Sequence, residues 1–242
     1  AKSSLLSEIR ARCGATLNPD KILIGFARRA APYKRSDLIF RKLDVIEPYL
    51  RNGDIQLVFS GKAHPLDDSG KNIVANLVEM MKQYPQSVVF VPNYDMEVGR
   101  LLTSGCDVWL NNPRRPNEAS GTSGMKAAMN GVLNFSTLDG WWPEACDHRV
   151  NGWQFGDGYE GPDQDSHDLD ALYETLFSEV LPTYYENGAK WVRMMRESIS
   201  GTQEEFSSDR MVEEYYSRLY IPTVASKQVA VMTNDLECKP VN

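Results

Sequence analysis

Apolar residues along this chain alternate between short, largely apolar runs and longer stretches where they recur every three or four positions. Ile22-Leu23-Ile24-Gly25-Phe26, Ile55 to Phe59, Val88 to Val91, Val108 to Leu110 and Val132-Leu133-Asn134-Phe135 are the short runs. Runs of this kind, bounded by turn residues, read as strands buried on both faces, the pattern of a parallel sheet. Between them, Ser36 to Leu50 places Leu38, Ile39, Leu43, Ile46 and Leu50 at helical spacing before Asn52-Gly53 ends it. Ser69 to Gln83 does the same with Ile73, Leu77, Met80 and Met81, and Val98 to Leu102 and Met125 to Asn130 are shorter helical stretches. Ser3 to Cys13 is a weaker helix, with Leu5, Leu6 and Ile9 spaced along it, and Asn18-Pro19-Asp20 breaks the chain after it. Strands alternating with helices imply right-handed βαβ crossovers, hence an α/β fold with a doubly wound parallel sheet.

From Asp139 the character changes. Asp139-Gly140-Trp141-Trp142-Pro143 and Asn151 to Gly158 are aromatic and turn-rich, and are expected to be ordered loops beside the sheet. Ser166 to Leu181, Tyr184 to Ser200 and Gln203 to Leu219 read as three helices, the first capped by Ser166-His167-Asp168. Beyond Pro222 no period is visible. The expected organisation is one domain over residues 1–222 and a loosely ordered tail over residues 223–242.

Composition narrows the partners. With 242 residues, 42% of them hydrophobic, the chain can bury one substantial core. A net charge of −7 argues against nucleic acid or an anionic membrane as the bulk partner, yet leaves room for a local basic pocket. Cys13, Cys106, Cys146 and Cys238 are widely spaced and form no CxxC pair, which points to a reducing compartment rather than a disulfide framework or a zinc site. No apolar run is long enough to span a bilayer and no signal-peptide pattern opens the chain, so the expected location is cytoplasmic. A start at Ala1, without an initiator Met, implies a processed product or part of a longer polypeptide.

Ligands of open parallel sheets bind beyond the carboxyl ends of the strands. The polar clusters all follow strands: Arg28 to Arg35, Lys62 to Pro65, Asn93 to Asp95 and Asn111 to Lys126. They should therefore converge on one crevice. Arg29 and Lys34 offer an anion clamp, Arg as a planar fork and Lys as a point charge, with Arg28 and Arg35 beside them and Lys62 able to join. The competing reading is a solvated basic loop. The stretch Asn117-Glu118-Ala119-Ser120-Gly121-Thr122-Ser123-Gly124-Met125-Lys126 leads small residues into a helix, where bare N–H groups can accept an anion. Glu118 could take hydrogen bonds from sugar hydroxyls or be a solvated or capping carboxylate. Lys126 could form a Schiff base if its pKa is lowered, or be an ordinary exposed helical Lys. Trp141, Trp142, Trp153 and Tyr94 could stack on a ring or pack structurally. His64, His148 and His167 show no metal spacing and read as structural. Spacing supports an anion-binding crevice and stops there.

Three blocks carry a resemblance. Glu118 to Lys126, with Asn130-Gly131 and Leu138-Asp139-Gly140 following, resembles the signature of the α-glucan (glycogen, starch, maltodextrin) phosphorylases. Asn111-Asn112-Pro113-Arg114-Arg115-Pro116 before it and Asp139-Gly140-Trp141-Trp142 after it are similar to the bacterial and archaeal branch. Arg28-Arg29-Ala30-Ala31-Pro32-Tyr33-Lys34-Arg35 and Phe59-Ser60-Gly61-Lys62-Ala63-His64-Pro65 resemble two further blocks of that family. Together they run in order over roughly residues 20 to 160.

The resemblance implies the Rossmann-like C-terminal domain of a glycosyltransferase-B type fold. It implies pyridoxal 5′-phosphate held as a Schiff base on Lys126, with the cofactor's 5′-phosphate in proton exchange with substrate phosphate. Arg29 and Lys34 would hold inorganic phosphate or the phosphate of glucose 1-phosphate. Arg28, Gly121, Thr122 and Tyr94 would surround the cofactor, and Glu118, Ser120 and Gly121 would hold glucose hydroxyls. The implied reaction is phosphorolysis of an α-1,4-glucan to glucose 1-phosphate, in a family with allosteric members and with a homo-oligomer compatible.

Two departures accompany it. The eukaryotic members carry an arginine after the tyrosine matching Tyr94 that contacts the cofactor phosphate, and here that position is Asp95. The family's N-terminal domain is not in this sequence, so the expectation is a domain with the fold and cofactor affinity but little turnover alone. The alternatives are a nucleotide-sugar glycogen or starch synthase-like domain, against which Lys126 argues, and a non-catalytic carbohydrate- or phosphate-binding module.

Overall fold

A computed structural model of the chain describes residues 1–222, so the expected tail over residues 223–242, Cys238 included, lies outside the described residues. The chain divides into two compact units, Ala1–Gly201 and the remainder from Thr202. The first is built on a six-stranded sheet of β1 (Ile22–Ala27), β2 (Ile55–Ser60), β3 (Val88–Val91), β4 (Val108–Asn111), β5 (Leu133–Thr137) and β6 (Gly152–Phe155). Spatial order is β3-β2-β1-β4-β5-β6 with every neighbouring pair parallel. Order reverses between β1 and β4, so the loops after these two strands diverge to opposite sides and leave a crevice at their carboxyl ends.

The short apolar runs face both ways, as parallel strands covered on both faces must. Ile22, Ile24 and Phe26 of β1, Leu57 and Phe59 of β2 and Val108 and Leu110 of β4 join one core. That core takes Ile46 and Leu50 from α2 (Leu43–Arg51), Leu77 from α3 (Asp68–Gln83), and Leu169 and Leu172 from α7 (Gln164–Thr175). The alternate residues Leu23, Val58, Val89 and Trp109 face a second core with Leu5 and Ile9 of α1 (Lys2–Cys13), Leu101 and Leu102 of α4 (Met96–Gly105), and Ala127 of α5 (Thr122–Met129). The doubly wound arrangement therefore follows from period-two alternation within runs that are mostly apolar in sequence, with a few buried polar residues such as Gln56 and Asn134 among them. Each Leu, Ile or Phe so buried contributes roughly 1.5–3 kcal/mol of transfer free energy.

The structure corrects the reading of the aromatic region. Asn151 to Gly158 is not only loop, since Gly152–Phe155 forms edge strand β6 beside β5. Trp153 and Phe155 point into the first core, and Trp142 opens the short helix α6 (Trp142–Ala145). An edge strand paired on one side, with Gly at its start and Gln within it, lacks the unbroken apolar run that marks its neighbours. Helix boundaries shift too. The expected helix over Ser36 to Leu50 is a 3-10 turn over Leu38–Phe40 followed by α2. The expected cap Ser166-His167-Asp168 lies inside α7, which begins at Gln164. The helix continues through a π-helical stretch, Leu176–Val180, into α8 (Leu181–Glu186), and α9 runs over Gly188–Gln203. In the second unit, Ser207 caps α10 (Ser208–Tyr215) by accepting from the Arg210 N–H, and a π-helical stretch follows over Tyr216–Tyr220. No described helix is long and apolar enough to cross a membrane.

Candidate active site

The loop after β1 turns back at once. Pro32 opens a 3-10 turn through Lys34, and Arg35 leaves it in the left-handed region at φ 49°. This turn buries Lys34 and aims its amine across the crevice, where Nζ donates to Glu118 Oε2 at 2.7 Å. Arg28, at the end of β1, places Nη2 3.1 Å from the same oxygen, while its Nη1 donates to Asn111 Oδ1 at 2.8 Å. Two cations and one carboxylate, none more than 11% exposed as side chains, thus meet between the loops of β1 and β4. Burial lowers the Arg28 pKa, and the Glu118 charge opposes that. Charges this poorly hydrated are tolerated only when paired.

Glu118 is held from behind. Its N–H donates to Asp139 Oδ2 at 2.9 Å, and the Trp141 N–H donates to the Ser120 carbonyl at 2.8 Å. Burial pushes the Asp139 carboxyl up, offset by the Glu118 and Gly140 N–H groups. Gly121 then caps α5 in the left-handed region at φ 94°, where a methyl group would lie 3.2 Å from Arg28 Nη2. One step into α5 the approach is closer still. A methyl on Gly124 would meet Trp141 Nε1 at 2.6 Å and Asn134 Oδ1 at 2.8 Å. The start of α5 is therefore pressed onto the ends of β4 and β5, with the first N–H groups of the helix lacking intrahelical partners. Lys126 follows Thr122 by one turn, and its side chain is exposed.

Beside this cluster lies a cavity of about 470 Å³ over the ends of β1, β2 and β3, lined by Arg28, Arg29, Gly61, Lys62, His64 and Tyr94 among others. Its walls are fixed by Arg28 N–H to the Ser60 carbonyl at 3.2 Å and Ala30 N–H to the Lys62 carbonyl at 3.0 Å. Among the described residues, the side chains of Arg29, Lys62 and Lys126 make no hydrogen bond or ion pair. Asp95, at the departure from the eukaryotic pattern, caps α4 by accepting from the Val98 N–H at 2.8 Å, and its other oxygen takes both Arg12 Nη atoms at 3.1 Å. The Val98 bond, then Arg12, hold its carboxyl below the ordinary range against the pull of burial. Asp95 is thus committed to helix capping and to α1.

The structure therefore brings Arg28, Lys34, Glu118 and Gly121 together, and joins Arg29 and Tyr94 to Arg28 through the cavity. Ser120 and Thr122 are exposed at the lip of the turn, and Lys126 makes no side-chain contact with the charge cluster. One expected cation does not belong: Arg35 is fully buried and faces Asp165 and Asp168 rather than the crevice. Its left-handed φ turns it away from Lys34's side. Trp141, Trp142 and Trp153 are buried and pack, whereas Tyr94 is open to the cavity. Sequence reasoning assigned no role to Asn111 or Asp139, which orient Arg28 and Glu118. Their signal was membership of the two stretches, Asn111 to Pro116 and Asp139 to Trp142, that flank the Glu118 to Lys126 block.

Residues 1–155 match the family model for carbohydrate phosphorylase. The chain belongs to the carbohydrate phosphorylase family. This phosphorylase-family chain is 44% identical over 217 residues to a maltodextrin phosphorylase of Thermococcus litoralis, covering 87% of the chain and 26% of that protein. It is 42% identical over 216 residues to a glycogen phosphorylase of Aquifex aeolicus, covering 86% and 31%. It is 39% identical to a glycogen phosphorylase of Mycobacterium tuberculosis, covering 93% and 29%. The chain thus spans about a quarter to a third of the length of these curated relatives. Chemically, the phosphorylase-family site offers paired cations for an oxyanion, a carboxylate for hydroxyl groups, and an amine able to condense with an aldehyde.

Proposed function

We propose that this chain is the C-terminal, cofactor- and phosphate-binding part of an α-glucan phosphorylase, releasing glucose 1-phosphate from an α-1,4-glucan with inorganic phosphate. The observation that carries the reading is the sharing of Glu118 by Lys34 and Arg28 at the β1/β4 junction. One carboxylate suited to sugar hydroxyls and two cations suited to phosphate lie in mutual contact, as a sugar phosphate requires. The relatives' names, glycogen and maltodextrin phosphorylase, support the same substrate class.

The residues fit pyridoxal phosphate. Lys126 has an exposed amine with no partner among the described residues, and Arg28 beside Gly121 lies against the turn that heads α5. Lys126 would hold the cofactor's aldehyde, and Arg28, Gly121, Thr122 and Tyr94 would surround the rest of it. When bound, the cofactor supplies a phosphate group for proton exchange with the substrate phosphate.

The chain's own residues do the remaining work. Arg29, unpaired at the cavity wall, and Lys34 bind the substrate phosphate and offset the repulsion between two phosphates in one crevice. Glu118, Ser120 and Gly121 orient the glucose ring through its hydroxyls. Preorganised donors aimed at developing charge are worth more in a site from which water is excluded. Glucan, phosphate and the remainder of the polypeptide are the partners of this reading, which takes the cytoplasm as its location and residues 1–222 as the working domain.

The test is incubation with pyridoxal phosphate, borohydride reduction, and peptide mass spectrometry of wild type and Lys126→Ala. Label on the Lys126 peptide, absent from the variant, is expected. Label scattered over surface lysines, or none, refutes the cofactor assignment. In the complete polypeptide, Arg29→Ala should depress phosphorolysis strongly, and near-normal turnover would remove its role.

A further inference from the structure

The crevice groups ride on the loops after β1 and β4, and these loops are tied together behind the crevice by Arg35 and Arg114. Arg35 follows Lys34 directly. Its Nε donates to the Asn112 carbonyl at 2.7 Å and its Nη2 to the Pro113 carbonyl at 2.9 Å, while Asn112 Nδ2 donates back to the Arg35 carbonyl at 2.8 Å. The far side of the guanidinium meets α7, with Nη2 donating to Asp168 Oδ2 at 2.7 Å and Nη1 to Asp165 Oδ1 at 3.0 Å. Asp165 takes more. Arg114 donates through Nε at 3.0 Å and Nη2 at 2.6 Å, and its backbone N–H donates to the Tyr33 carbonyl at 2.7 Å. Exposed Arg41 completes the set at 2.6 Å.

Neutralising the buried Arg35 does not require Asp165, because Asp168 is the more buried partner and makes the shorter bond. What Asp165 adds is a joint. It binds one guanidinium from the β1 loop, next to Lys34, and one from the β4 loop, four residues before Glu118. Bidentate arginine–carboxylate pairs fix direction as well as distance. Across the crevice from that joint, Lys34 and Glu118 lie 2.7 Å apart.

We propose that Asp165 is a positioning residue which, through Arg35 and Arg114, sets the spacing of Lys34 and Glu118 so that both can address one sugar-phosphate ligand. This inference rests on the reading of the crevice given above. Asp165 touches no ligand. It acts by holding two loops in register, and a misplacement on the ångström scale at such groups is enough to cost about a hundredfold.

The experiment is inorganic phosphate binding to the full-length protein by isothermal titration calorimetry, well below the unfolding midpoint, with thermal unfolding recorded for every variant. Asp165→Asn should weaken phosphate roughly tenfold, which is about 1.4 kcal/mol. Arg114→Lys, which keeps the charge and loses the fork, should weaken it in the same direction and reads the link even if Asp165→Asn folds poorly. The double variant should be no weaker than the worse single one, as expected of two residues acting as a unit. Arg41→Gln, which removes the exposed partner of the same carboxylate, should leave phosphate affinity unchanged. Lowered unfolding temperature with wild-type phosphate affinity in Asp165→Asn and Arg114→Lys overturns the proposal while leaving the crevice assignment standing. Failure of wild type to bind phosphate overturns the crevice assignment, and the proposal with it.

Discussion

Gly61→Ala tests whether the crevice walls are as closely fitted as the geometry implies. Gly61 follows β2 at φ 151°, a conformation L side chains rarely adopt, and an added methyl would lie 2.0 Å from the Arg28 carbonyl oxygen. Ordinary contact begins at 3.4 Å, so carbonyl and methyl must separate by about 1.4 Å, and the obstacle is backbone rather than a flexible side-chain end. That movement breaks the frame holding the two loops, Arg28 N–H to Ser60 and Ala30 N–H to Lys62. Two backbone hydrogen bonds contribute about 0.5–1.5 kcal/mol each. The unfavourable φ adds about 1–3 kcal/mol. The expected destabilisation is therefore roughly 2–6 kcal/mol, or some 4–24 °C in unfolding temperature for a unit of this size. Scanning calorimetry of wild type and variant measures it, and phosphate titration of the folded fraction should show weakened binding, since Arg28, Arg29 and Lys62 all line the cavity. An unfolding midpoint within a degree or two of wild type would refute the reasoning, because no relaxed backbone accommodates that methyl with both hydrogen bonds intact.

Other expectations follow from the charge clusters. Asp168→Ala leaves Arg35 buried without its closest partner and should cost about 3–5 kcal/mol in urea denaturation, whereas Asp170→Ala, whose side chain is 58% exposed beside Lys42, should cost under about 1 kcal/mol. Burial alone would raise the Asp165 carboxyl, but the hydrogen bonds of Arg114, Arg41 and Arg35 outweigh it and hold it well below the ordinary range. A depressed folded pKa contributes stability that is present above the unfolded value, about 3.9, and is lost as pH falls through the folded one. The stability difference between wild type and Asp165→Asn should thus be flat above about pH 5 and shrink below about pH 4, and a gap that widens in acid would contradict it. Glu118→Gln removes the carboxylate that competes with an anion for the buried Lys34 and Arg28, so inorganic phosphate should bind more tightly than to wild type. Weaker phosphate binding in this variant would mean that Glu118 orients the cations rather than competes for them.

How much of this was readable from the chain depends on where each residue's partner lies. Strands β1 to β5 announced themselves because strands covered on both faces are dominated by apolar side chains, and Ile22 to Phe26, or Ile55 to Phe59 with its single polar Gln56, show that without reference to anything else. Strand β6 did not, because it carries Gly152 and Gln154 within a Gly- and Asn-rich stretch that resembles a turn, whereas the other edge strand, β3, is the wholly apolar Val88-Val89-Phe90-Val91. The crevice was legible for a topological reason: loops after parallel strands must gather at one edge of the sheet, so Arg28, Lys34 and Glu118 could be grouped although Arg28 and Glu118 are 90 positions apart.

Arg35 shows where that logic ends. In sequence it is one more cation in a basic block, and nothing local separates it from Lys34. What separates them is the left-handed turn at residue 35 and two carboxylates supplied 130 and 133 residues later by α7. A burial that depends on so distant a partner has no periodic trace. The same holds for Asp168, which in sequence looked like part of a helix cap, and for Asp165 just before that cap. One signal was nevertheless present: Asp165 and Asp168 stand three apart in what becomes the first turns of a helix, a spacing that puts both on one face. Two acids on one face of a helix otherwise packed into a core must turn inward only if a buried cation waits for them, and a chain with four basic residues between positions 28 and 35 had one to spare.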